Sequence, residues 1–138
     1  MINSPGDALW HLLDYKCDKF KVGLICVDNY KDNIGQTVIA EGDSSCLLKL
    51  KDFFWYAARV KASGLILFFI HKEDTVEPPP SEINIAKRIS QGCEAIGICH
   101  VDTLIVNKGR VFSFLEHNID TKNVTPGLFD NWAVEETA

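Results

Sequence analysis

Residues 65–70, Leu-Ile-Leu-Phe-Phe-Ile, decide the fold of this chain. Six consecutive large apolar side chains without polar alternation make a strand that is apolar on both faces. Such a strand belongs in the middle of a sheet covered on both sides. Gly64 marks the break from a preceding helix, in which Leu50, Phe53, Phe54, Ala57 and Val60 form a stripe and Lys51, Asp52, Arg59 and Lys61 lie mostly opposite. After the strand, a polar loop over residues 71–80 ends in Pro78-Pro79-Pro80. Ser81 is placed to cap the next helix, Glu82 stands in its first turn, and Ile85, Ile89, Cys93 and Ile96 mark its buried face.

Working outward, residues 21–27 (KVGLICV) read as a second apolar strand, followed by a polar turn. Residues 36–40 make a third strand that ends near Gly42. Towards the C-terminus, strands at 101–106 and 111–115 are joined by a tight Asn107-Lys108-Gly109 turn. At the N-terminus, Ser4-Pro5-Gly6-Asp7 starts a helix carrying Ala8, Leu9, Leu12 and Leu13. The order is helix, strand, strand, helix, strand, helix, hairpin, which is a three-layer α/β arrangement with a mixed sheet.

A length of 138 residues suits one core. The net charge of −5 sets the chain against duplex DNA, because phosphate needs a field of the opposite sign. Lys49, Lys51, Arg59 and Lys61, with Lys87 and Arg88 on the later helix, read as solvated faces. Five cysteines without a Cys-x-x-Cys pair argue against a disulfide framework or a structural zinc site, and Cys26 and Cys99 read as small hydrophobes within apolar runs. The N-terminus lacks the pattern of a signal peptide and the longest apolar run is too short to span a bilayer, so a cytoplasmic location is expected. There is no phosphate-binding Gly-rich loop and no nucleophile elbow.

Several short motifs occur in a telling order. Ala62-Ser63-Gly64 opens the apolar strand, Gly97-Ile98 and Asp102 follow the last helix, and Ser113-Phe114-Leu115-Glu116 closes the hairpin. With Asp28 and Gly42 in the first hairpin and the lead-in helix at residues 2–13, this order resembles the JAB/MPN (JAMM) domain of the RadC family over residues 2–116. The resemblance implies a JAB/MPN-like, cytidine-deaminase-like mixed sheet flanked by helices, with a domain at residues 1–117 and a C-terminal tail at 118–138. Full-length members of that family carry a helix-hairpin-helix region before this domain, and a chain of 138 residues is expected to lack it, which counts against a DNA role.

The resemblance also implies a site. Family members hold zinc with two histidines and an aspartate, and a glutamate serves as base towards the metal-bound water. In an ungapped register the first histidine becomes Phe69, the second is His71, the oxyanion-stabilising serine becomes Pro79 and the aspartate becomes Glu82. The catalytic glutamate becomes Phe20, and the histidine of the family's Asp-His pair becomes Thr103. A register shifted by two residues would use His71, Glu73, Ser81 and Asn84 instead, and it requires two compensating shifts. Both registers lose at least one ligand and the base.

The chain is therefore expected to be a catalytically inactive JAB/MPN-fold protein that binds a protein partner, itself included, without zinc. His71 reads as a strand-end histidine hydrogen-bonded at the sheet edge, and Glu82 as a first-turn carboxylate. The alternatives are a zinc-dependent hydrolase with ligands rearranged around His71 and Glu82, and a nucleic-acid-associated accessory protein of a genome-maintenance or mobile-element system. Leu128, Phe129 and Trp132 stand beyond the family-like strands and are candidate partner contacts.

Overall fold

A computed structural model describes residues 1–121 and, as a backbone strand, Asn131–Glu135. Ser4 caps the first helix, α1 (Pro5–Trp10), by accepting from the Asp7 amide at 3.1 Å, and Pro5 occupies the first turn, where its missing N–H costs nothing. Strands β1 (Phe20–Val27) and β2 (Asn33–Gly42) follow, then β3 (Ser45–Lys49), α2 (Leu50–Arg59) and β4 (Gly64–Ile70). Helix α3 (Pro80–Ile96), β5 (Cys99–Asn107), β6 (Arg110–Ser113) and β7 (Asn131–Glu135) complete the order.

Five strands form one mixed sheet in the order β2-β1-β4-β5-β6, with β4 and β5 parallel and the other pairs antiparallel. The apolar strand β4 is central and every residue of it is buried, as its composition requires. Phe20, Val22, Leu24 and Cys26 of β1 and Leu65, Leu67 and Phe69 of β4 face α2 and α3. Ile25, Val27, Ile66, Phe68 and Ile70 face the other way, onto Ala8 and Leu12 of the α1 segment. This is a three-layer α/β fold with a JAB/MPN-like mixed sheet.

Several local readings are corrected. Pro79, not Ser81, is the N-cap of α3, because three consecutive prolines hold the chain extended and Pro80 then supplies a helical φ at the first position. Ile96 is half exposed because α3 ends there, past the sheet that covers Ile85, Ile89 and Cys93. Cys99, at the open start of β5, is exposed. Strand β2 is longer than its apolar stretch, and two bulges, at Ile34 and Ile39, interrupt its register with β1.

Strand β3 and its partner β7 were not legible as strands. They pair antiparallel in a separate two-stranded sheet, with Leu48 opposite Trp132 and Lys49 opposite Asn131. Trp132 thus has its backbone in a strand of this chain, whereas Leu128 and Phe129 lie outside the described residues. The β5–β6 turn is as tight as expected: Lys108 (φ 48°) and Gly109 (φ 80°) both adopt left-handed backbone, the geometry of a two-residue primed turn. Among the described residues no helix is long and apolar enough to cross a membrane.

Candidate functional site

The parallel β4–α3–β5 unit brings the chemistry to one place. The C-terminal end of a central parallel strand, where the chain crosses to a helix, is where open α/β sheets build their sites. His71 follows the last residue of β4, and its amide donates to the Val106 carbonyl at 2.8 Å, which extends the sheet by one bond. Asn107 Nδ2 donates to the His71 carbonyl at 2.8 Å, so the histidine backbone is held from both sides. Asn107 is itself fully buried and receives Arg110 at 3.2 Å.

The side chain is not at a sheet edge, as expected from sequence, but wholly buried at the end of the central strand. Its Nδ1 lies 2.8 Å from the Thr75 carbonyl oxygen. Its Nε2 lies 2.9 and 2.7 Å from the two oxygens of Glu82, which is also wholly buried. A carbonyl only accepts, so Nδ1 carries a proton. An Nε2 lone pair set against a carboxylate lone pair at this distance would repel, so a second proton lies between Nε2 and Glu82. The pair is then neutral as a unit, which is what makes its burial tolerable.

Phe20 and Phe69 form the floor of the site. Both rings are fully buried, their planes lie within 7° of each other and their centroids are 6.3 Å apart. The Phe20 ring is tilted against the His71 imidazole at 6.0 Å. Antiparallel register explains the stack, since Val22 pairs with Phe69 and Lys21 with Ile70, which sets Phe20 beyond the end of β4 beside His71. Pro79 is buried as well, at the N-cap of α3. Glu73 and Asn84, which the shifted register would use, are exposed.

Cys46 on β3 completes the rim. Burial, and secondarily the charge of Glu82, push its thiol up to about 11, so it is an inert neighbour rather than a thiolate. Among the described residues, no three His, Cys, Asp or Glu side chains gather to hold a metal ion.

Thr103 lies away from this site, on β5, where its hydroxyl meets His100 Nε2 at 2.9 Å. Asp102 beside it accepts from the Thr103 amide at 2.7 Å, the Ser113 hydroxyl at 2.5 Å and the Leu115 amide at 3.0 Å. This knot fastens the end of the β5–β6 hairpin. Both Asp102 and Ser113 were legible as motif positions, but their mutual bond was not.

With this geometry in place, the family model of the RadC-like JAB domain matches residues 2–119. The chain belongs to the RadC family. Its similarity to relatives is moderate and even: 30% identity over 121 residues to a UPF0758 protein of Aquifex aeolicus and 37% over 123 residues to one of Clostridioides difficile. Each of these alignments covers 86% of this chain and 52% of the relative, and a Thermotoga maritima UPF0758 protein is 35% identical over 98 residues. The chain spans about half the length of the curated relatives it matches.

The RadC-family zinc site asks for a glutamate base and three donors open to a metal. In the ungapped register Phe20 and Phe69 would stand at two of those positions and His71 and Glu82 at the other two, and His71 and Glu82 bond to each other. The residues present do not fit that metal centre. A metal would have to displace the shared proton and would find two protein donors where zinc sites use three or four.

Proposed function

We propose that this RadC-like domain has exchanged metal-dependent hydrolysis for binding a protein partner. The observation that carries the reading is the closed His71–Glu82 pair over the stacked Phe20 and Phe69 rings. Metal hydrolysis needs a polarised water with room to attack and a base to take its proton. Here aromatic carbon stands at the position of the base and at one ligand position, and a hydrogen bond uses the remaining donors. The scaffold around the site is nevertheless kept, with the central strand, the crossover helix and the Asp102–Ser113 fastening all formed. Several large apolar side chains, among them Trp10, Leu47, Trp55 and Leu115, stand well exposed on its surface. Partner binding gives a preserved fold with such a surface a use that does not require the lost chemistry.

Elemental analysis of protein purified without added zinc tests the proposal directly. Substoichiometric zinc, together with a melting temperature unmoved by chelator, is expected. One zinc per chain, or a large destabilisation by chelator, would overturn the reading in favour of a hydrolase with its ligands rearranged around His71 and Glu82, since a native-state metal contributes to stability by mass action.

A further inference from the structure

The outer face of α2 carries a feature that the His71 site does not use. Lys51, Trp55 and Arg59 recur at intervals of four and so stand in one row on the exposed side of the helix. Trp55 is 62% exposed, although an indole of this size is normally sheltered. The Arg59 guanidinium lies over its ring, 4.8 Å from the centroid, which fixes both groups in the orientation they present to solvent. Lys49 and Lys61 flank the row at either end of the helix and are also exposed.

Charge separates this face from the rest of the molecule. Residues 49–61 contain four cations and one acid, Asp52, a net charge of +3 within a chain of net −5, so the remainder carries −8. Several cations elsewhere are neutralised at close range, as in Lys21–Asp18 at 2.8 Å, Lys72–Asp43 at 2.6 Å and Arg110–Asp74 at 2.6 Å. Among the described residues, none of Lys49, Lys51, Arg59 and Lys61 makes an ion pair. Leu47, on the strand that leads into α2, adds an apolar group that is 64% exposed.

We propose that this face docks an acidic segment of a protein partner, with Trp55 as the apolar anchor and Lys51 and Arg59 as the carboxylate contacts. The proposal rests on the protein-binding reading above and names its surface. Tryptophan and arginine are the side chains that most often dominate interface energies. The guanidinium is already held in place by the ring, so its N–H fork meets a carboxylate with little further ordering. A short acidic segment matches the size of the patch. A nucleic acid strand extended beyond it would run onto surface of the opposite preference, and this face offers it one stacking platform rather than several.

Fluorescence anisotropy with a labelled synthetic peptide of alternating Glu/Asp and Phe/Leu residues tests the surface, with labelled oligothymidine as the competing probe. Wild-type protein is expected to bind the peptide, to lose at least tenfold in affinity in K51E/R59E and in W55A, and to weaken as salt rises. K51E/R59E leaves the buried face of α2 untouched, so unchanged melting would confirm that a loss is not unfolding. A flat peptide titration, equal binding by wild type and K51E/R59E, or tighter binding of oligothymidine than of peptide would overturn the proposal. Zinc analysis decides the hydrolase question separately, so one zinc per chain with charge-reversal-sensitive peptide binding would remove the inactive reading and leave this surface standing.

Discussion

Both carboxylate oxygens of Glu82 face Nε2 of His71, at 2.9 and 2.7 Å, and tie the end of β4 to the first turn of α3 across the proline-rich loop. The Thr75 carbonyl fixes one proton on Nδ1, so a second proton lies between Nε2 and the Glu82 carboxylate.

Removing one partner leaves the other buried and unsatisfied. His71→Leu and Glu82→Leu should therefore each cost about 3–5 kcal/mol. The double substitution His71→Leu with Glu82→Leu, which leaves no orphaned polar group, should cost clearly less than the two single losses combined. Urea unfolding of the four proteins measures the coupling, and additive losses would mean that the two residues do not act as a unit.

The aromatic floor gives a second prediction. Truncating Phe20 or Phe69 to Ala opens a cavity in a core with no exposed side, at a cost of about 3–5 kcal/mol each. The two losses should be non-additive because the rings stack on each other. Thermal or denaturant unfolding checks this. A loss under about 1 kcal/mol for either ring would contradict the close packing on which the filled-site reading depends.

Gly23, in the middle of β1, is a site where space decides. A Cβ there would meet the Thr37 carbonyl oxygen of β2 and lie 2.5 Å from Phe68 Cζ. Neither the ladder backbone nor a fully buried ring can retreat far, so Gly23→Ala should destabilise by about 3 kcal/mol, at the upper end of overpacking costs. Retained stability in a melting experiment would show that β1 and β2 separate more easily than their register implies.

His100 supplies a pH dependence. Burial pushes its imidazole down to about 4, while its partner Thr103 holds Nε2 at 2.9 Å. In the unfolded chain it titrates near its ordinary value, about 6.5. Between pH 6.5 and 4 the unfolded state therefore binds a proton that the folded state refuses, and stability is lost as pH falls through that window. At pH 5 the loss is on the order of 1–2 kcal/mol. His100→Gln should flatten that part of the profile relative to wild type, and parallel melting curves from pH 7 to 5 would refute the assignment.

Amino-acid order alone determined the centre of this protein. A run of six apolar residues has no solvated face to offer, so residues 65–70 had to lie inside a covered sheet. Helical periodicity placed α2 and α3, and the motif order placed the chain in its family. The spacing of a family motif singled out Phe20, Phe69, His71, Pro79 and Glu82 in the sequence, and the fold brings Phe20, Phe69, His71 and Glu82 together.

Tertiary structure decided what those positions do. His71 and Glu82 are eleven residues apart, and nothing local distinguishes a first-turn carboxylate in water from one that shares a proton with a buried imidazole. That difference arises because the β4–α3 crossover points both side chains into the same dry volume. Strands β3 and β7 were illegible for a related reason. Ser45–Lys49 carries a short mixed pattern, and it becomes a strand only because Asn131–Glu135, more than eighty residues later, supplies its hydrogen bonds. The exposure of Ile96 and Cys99 follows from the same limit: periodicity says which residues share a face, but only the neighbouring elements determine where that face stops being covered.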